Sequence, residues 1–249
     1  MENSIKFLFS GDSALVIEFG NEISVDINKK IRKMMDNIKK ENIDGIIELV
    51  PTYCSLLVNY DVLKVDYQNL VEKLKTLLND DNETVEDEEV TLIEIPTLYN
   101  DECGPDLSYV AEYNKLSKEE VIKIHTGTDY LVYMLGFMPG FTYLGGMSEK
   151  IATPRLESPR LQIYPGSVGI AGKQTGMYPS MSPGGWRIIG RTPLKLYNPD
   201  SETPVYISSG DYIRYVSISE EEYNNILKKV ESNEYKLNIH KVKRGELNA

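Results

Sequence analysis

Histidine and cysteine are scarce in this chain, with two of each in 249 residues. Cys54 and Cys103 lie far apart with no paired metal-ligand spacing, which argues against a zinc site and against a secreted disulfide framework. With only His125 and His240, a Ser-His-Asp or Cys-His mechanism has one serious base candidate, and no histidine metal motif exists. No apolar run approaches the ~18 residues a membrane span needs. Nothing resembles a signal peptide: Glu2 is acidic, and Phe7 to Phe9 gives way at once to Ser10, Gly11 and Asp12. A net charge of −11 disfavours nucleic acid as a partner. These absences predict a soluble cytoplasmic protein with no metal, no membrane contact and no nucleic-acid partner.

Glycine and proline, by contrast, are concentrated. Twelve of the 18 glycines lie between Gly127 and Gly190, and nine of the 12 prolines between Pro139 and Pro204. Such density suits a linker, but Phe137, Phe141, Tyr143, Leu144, Val168, Ile170, Tyr178, Trp186, Ile188 and Ile189 are residue types that become buried. The stretch is predicted to form short strands joined by tight turns. From Asp129 to Pro199 seven basic residues face three acidic ones, a local excess of +4 in an acidic protein. That excess suits a carboxylate or phosphate ligand; it equally suits arginines that tie down loop carbonyls. A P-loop in GSVGIAGKQ is excluded. Gly166 and Gly172 enclose five residues, Gln174 follows Lys173 where Ser or Thr is required, and Gly176 and Pro179 block the following helix. No G-x-G-x-x-G and no G-x-S-x-G elbow is present.

Along the chain, Ile5–Phe9 and Gly11–Gly20 read as two strands. Ile27, Ile31, Met34, Met35 and Ile38 then recur at helical spacing after Ser24, a cap. Strands at Ile46–Val50 and Cys54–Asp61 precede a second helix from Asp66. The order β-β-α-β-β-α predicts helices on one face of an antiparallel sheet. Asn79–Glu89 carries seven acidic residues in eleven and is expected to be a linker, with a charged hairpin loop as the alternative. Further on, Val90–Pro96 reads as a strand, a helix starts at Asp106, and Ser117 with Glu120 forms a capping box for a short helix ending near Gly127. His125, in its last turn, has a structural reading at the helix C-terminus beside the chemical one. Strands are expected at Asp129–Phe137, Pro204–Ser208 and Tyr212–Ile218, a helix after Ser219, and an edge strand at Leu237–Val242. Many short strands with few helices point to an all-β barrel.

The segments GDSALVIEFG, PTYCSLLVNYD, HTGTDYLVYMLGFMPGFTYLGG, PGSVGIAGKQTGMYP, SPGGWRIIGRTPLKLY and SGDYIRY, long and idiosyncratic, resemble one family almost end to end. Its members are known as the B subunit of 5-oxoprolinase, as the first subunit of allophanate hydrolase, and as KipI, the inhibitor of a sporulation histidine kinase. One departure is local: where the family commonly carries Val-Pro-Ala-Gly-Ser-Val, this chain has Ile163-Tyr164-Pro165-Gly166-Ser167-Val168.

The resemblance implies an α+β protein, with a small α/β N-terminal domain over residues 1–86 and a cyclophilin-like β-barrel domain over residues 87–249. It implies a component, inactive alone, that works with a homologous C subunit and a third protein, the A subunit, to open 5-oxoproline to L-glutamate using ATP. The family's other names imply two alternatives: inhibition of a sensor histidine kinase, and an allophanate or urea amidolyase type of amide hydrolysis. Carried across residue by residue, the resemblance also implies a shared site. His125, Arg155 and Gln174 are its catalytic candidates, and Tyr178, Trp186 and Arg191 bind substrate. An arginine fork suits a carboxylate, a glutamine suits an amide, and a histidine suits proton transfer. Trp186 has a competing reading as a core plug at the barrel end, and Tyr143 and Tyr178 as packing residues with a wet hydroxyl.

Overall fold

The computed structural model describes residues 5–78 and 89–248, and the helix starts expected from capping side chains are found in it. Ser24 opens α1 (Val25–Glu41), its hydroxyl accepting the Ile27 N–H at 3.2 Å, and Asp66 opens α2 (Tyr67–Thr76), accepting from the Asn69 N–H at 3.0 Å. Helix α3 (Leu107–Asn114) follows Asp106, whose carboxylate makes no cap bond because it is engaged elsewhere. Ser117 and Glu120 form a reciprocal capping box on α4 (Lys118–Thr126), and Ser219 with Glu222 does the same for α5 (Glu220–Glu231).

The chain divides into two compact units, Met1–Glu83 and Thr84–Ala249. In the first, β1 (Lys6–Phe9), β2 (Ala14–Glu18), β3 (Ile46–Pro51) and β4 (Ser55–Tyr60) form an antiparallel sheet in the order β1-β2-β4-β3. Alternate residues of the inner strands, Leu15 and Ile17 on β2 and Leu56, Val58 and Tyr60 on β4, are buried. They share one cluster with Ile31, Met34 and Ile38 of α1 and Leu70 and Leu74 of α2. Most of the acidic stretch expected as a linker, residues 79–88, lies outside the described residues.

The second unit is mixed rather than all-β. Its strands are β5 (Glu89–Thr97), β6 (Asp129–Leu135), β7 (Thr142–Gly145), β8 (Arg160–Ile163), β9 (Ser167–Ala171), β10 (Gln174–Met177), β11 (Ser182–Gly184), β12 (Arg187–Arg191), β13 (Tyr212–Ser217) and β14 (Ile239–Lys243). They pair as β14-β5-β13-β6-β7, β10-β9-β12 and β11-β8, so among the described residues no ladder closes a barrel. The reason lies partly in β13, which runs parallel to β5. A parallel pair cannot be joined by a hairpin and needs a long connection. Helices α3 and α4 lie within that connection, and their Leu107, Val110 and Val121 share one core with Ile93, Ile95, Val168, Ile170 and Ile213.

One further expectation is corrected. No strand forms at Pro204–Ser208. Pro204 lacks an N–H for a ladder, and Ile207 enters the core from irregular backbone. The run excluded as a P-loop forms β9, a turn at Gly172 with φ +60°, and the start of β10, while Lys173 pairs with Glu149. The tail strand does form, as β14 on the edge beside β5.

Candidate functional site

Four stretches of the Gly/Pro-rich segment converge on a cleft of about 160 Å³. Strand β10 runs on into Tyr178, β11 runs through Gly184 and Gly185 to Trp186, and Phe141 precedes β7. The rings pack edge to face: Phe141 lies 5.6 Å from Trp186 and 5.7 Å from Tyr178, and Tyr143 lies 5.3 Å from Phe141. Glycine is needed at the wall. A Cβ on Gly184 would stand 2.5 Å from the Tyr178 hydroxyl and 2.6 Å from Ile163, so a larger residue would displace the phenol. Burial pushes the Tyr178 phenol up to about 12, against the opposing pull of Arg155. Near neutral pH the cleft therefore holds a protonated phenol, able to donate a hydrogen bond.

Arg155 supplies the charge. Its side chain is exposed, but its backbone is held on both sides. The Pro154 carbonyl accepts from Arg187 Nε at 3.2 Å, and the Leu156 N–H donates to the Gly185 carbonyl at 2.7 Å. Two hydrogen bonds between Thr153 and Gly172 anchor the start of the same loop. Several carboxylates of this unit are paired elsewhere: Asp106 with Arg160, Asp129 with Arg214, Glu149 with Lys173. A fixed loop thus presents a guanidinium at the edge of an aromatic wall, a combination suited to a carboxylate on a small, largely apolar body.

The six residues expected to share a site do not all meet. Arg155, Tyr178 and Trp186 line the cleft, while His125, Gln174 and Arg191 are not among its lining residues. Gln174 opens β10 at the stem of its hairpin with β9, opposite Ala171. Arg191 closes β12, bridged to Leu98, with its guanidinium 5.1 Å from the centre of the Tyr164 ring. His125 is fully buried. Its Nε2 lies 2.8 Å from Thr175 Oγ1 and its Nδ1 2.8 Å from the Tyr99 hydroxyl. The single Thr175 hydroxyl proton goes to the Gly169 carbonyl, so Nε2 donates to Thr175 and Nδ1 accepts from Tyr99. Burial drives the imidazole pKa down to about 3. A neutral ring with both nitrogens engaged in the core is a structural group, so the acid–base role expected for His125 is not carried forward.

Three features escape the sequence. Phe137, expected in the core, is 68% exposed at the cleft. Gly184 and Gly185 form part of the wall. Asp106 reaches Arg160 through two hydrogen bonds of 2.8 and 2.9 Å and accepts the Ile188 N–H at 2.7 Å, while Arg160 also reaches the Trp186 carbonyl at 3.4 Å. Arg160 and Arg187 do tie down carbonyls; Arg155 does not share that work.

The chain belongs to the carboxyltransferase domain, subdomain C and D, family, whose profile matches residues 5–207. Two solved structures place it further. A conserved uncharacterized protein of Pyrococcus horikoshii is 50% identical with a TM-score of 0.52, over 88% of this chain and 100% of its own. The Kluyveromyces lactis urea amidolyase, 18% identical with a TM-score of 0.77 over 96% of this chain and 16% of its own, shares the fold. Within the family, the 5-oxoprolinase B subunit of Bacillus subtilis (strain 168) is 46% identical over 224 residues, 86% of this chain and 93% of that protein. That of Escherichia coli O157:H7 is 36% identical over 209 residues, 83% and 93% of the two chains. This chain is a member of the family of 5-oxoprolinase B subunits.

Proposed function

We propose that this chain is one component of a multi-subunit, ATP-dependent 5-oxoprolinase that opens 5-oxoproline to L-glutamate, and that it is inactive without its partners, the A and C subunits. The kinship to relatives named for that component supports the assignment. The observation that carries the chemistry is Arg155, held by its loop at the edge of the wall formed by Phe141, Tyr178 and Trp186. In this reading Arg155 takes the substrate carboxylate, the buried cluster of Phe141, Tyr178 and Trp186 with the partly exposed Tyr143 forms the floor under the ring, and the neutral Tyr178 O–H donates to an oxygen of the substrate. Opening the lactam breaks its C–N bond and adds water across it, which is hard because the amide is resonance-stabilised. The run that resembles a phosphate loop is strand and hairpin in this chain, and its lysine is paired, so no nucleotide cradle is assigned here. ATP use belongs to the assembly. Among the described residues no cluster of three or more His, Cys, Asp or Glu is placed to hold a metal, and no helix is long and apolar enough to cross a membrane. A cyclophilin-like arrangement of the second unit is proposed on the same kinship, as separate sheets with two buried apolar clusters rather than a closed ring.

The test is glutamate formation from 5-oxoproline and ATP by the three reconstituted proteins. Omitting this chain is expected to abolish activity, and full activity without it would sink the assignment. Arg155→Ala is expected to raise KM for 5-oxoproline about 30-fold, and Arg155→Lys to recover only part of that, because the fork is lost. A KM unchanged in both variants would remove Arg155 from the site.

A further inference from the structure

Phe137 has a backbone conformation that its side chain disfavours. Its φ is +66°, in the left-handed region that a bulky L-residue rarely enters. The Met138 N–H donates to the Gly136 carbonyl at 2.8 Å, closing the three-residue γ-turn of the strained hand. Two more backbone bonds fix the loop, Gly136 N–H to the Phe141 carbonyl at 3.2 Å and Phe141 N–H to the Met138 carbonyl at 3.0 Å. Glycine would make this turn at little cost. Gly140, three residues on, takes φ +81° in the same loop.

Burial does not account for the phenylalanine either. The residue is 68% exposed, and its ring meets that of Phe141 edge to face at 5.6 Å. A strained position that holds an apolar ring out in solvent gains little for folding, and strain without structural return gathers at functional sites. The ring borders the cleft beside Phe141, Tyr143, Arg155, Tyr178 and Trp186.

We infer that Phe137 is a specificity-determining contact of the cleft, covering the face of a small cyclic carboxylate whose charge is held by Arg155. The inference rests on the reading of the cleft given above and adds to it a reason for choosing a ring over an open chain. A flat lactam fits beneath a phenyl face, whereas a flexible open-chain amide must first lose rotational freedom there.

The test compares wild type, Phe137→Gly, Phe137→Tyr and Arg155→Ala in the complete chain and in the reconstituted complex. Trp186 is the sole tryptophan, so its fluorescence reports the cleft directly during titration with 5-oxoproline, and with N-acetylalanine as the open-chain probe. Phe137→Gly is expected to unfold at the wild-type temperature or slightly above, since strain is relieved. Its half-saturation for 5-oxoproline should rise about tenfold while that for N-acetylalanine changes little, and Phe137→Tyr should stay close to wild type. If Arg155→Ala weakens 5-oxoproline but Phe137→Gly leaves both ligands unchanged, this inference fails and the cleft reading stands. A Phe137→Gly melting temperature about 5 °C or more below wild type, with both ligands weakened alike, assigns a structural role and overturns it. Wild type that neither responds to 5-oxoproline in fluorescence nor turns it over in the complex overturns inference and reading together.

Discussion

His125→Ala is expected to cost about 3–5 kcal/mol of stability, through the cavity it leaves and the two hydroxyls, on Tyr99 and Thr175, that lose their partner. The ring also packs 4.4 Å from Tyr215 and 5.5 Å from Tyr130, between groups that cannot follow it inward. A pH dependence follows from the same burial. The folded state keeps His125 neutral down to a pKa of about 3, whereas the unfolded chain protonates it near the ordinary 6.5. Below pH 6.5 the unfolded state therefore binds the extra proton, and the stability this group contributes, full above that pH, is lost as pH falls toward 3. The loss is about 1.4 kcal/mol per pH unit, or about 2 kcal/mol at pH 5. Urea unfolding at pH 5 and pH 7.5 should show that difference in wild type and lose most of it in His125→Gln. Equal pH dependence in the two proteins would mean the ring is accessible to protons in the folded state.

Asp106→Ala should cost a similar amount, about 3–5 kcal/mol, and disturb the cleft as well. The Asp106 side chain is 8% exposed, and its carboxylate takes both nitrogens of the Arg160 fork and the Ile188 N–H. Its removal leaves a half-buried guanidinium and a buried N–H without their partner, and the cost of an unpaired buried polar group falls on both. Ile188 follows Trp186 by two residues and Arg160 itself reaches the Trp186 carbonyl, so the tryptophan should loosen. Thermal unfolding measures the first effect, and the Trp186 emission maximum, shifted to the red, measures the second. Stability within 1 kcal/mol of wild type together with unmoved emission would show that this ion pair neither holds the fold nor positions the cleft.

Local and long-range causes separate along this chain. Ser24, Asp66, Ser117 with Glu120, and Ser219 announce helices because a cap acts on the backbone within three residues. The alternation along β2 and β4 announces a sheet with one covered face for the same local reason. The failures have long-range causes. Nothing near Ile207 says that it will enter the core from irregular backbone, and nothing near Val90 says that its partner will be β13 running parallel.

The candidate site divides along the same line. That the Gly/Pro-rich stretch would supply it, with an arginine and large aromatics, was legible from composition and from the family's idiosyncratic segments. Which residues meet was not. His125 and Thr175 are 50 positions apart and Asp106 and Arg160 are 54 apart, and each pair is decided by burial: inside the core, an unpartnered polar group is too costly to leave alone. So the sequence by itself determined the helices, most strands and the chemical character of the cleft, all of which depend on neighbours along the chain. Only the tertiary structure decided that His125 faces inward and Phe137 outward, because one is governed by distant hydroxyl partners and the other by the hand of a single turn.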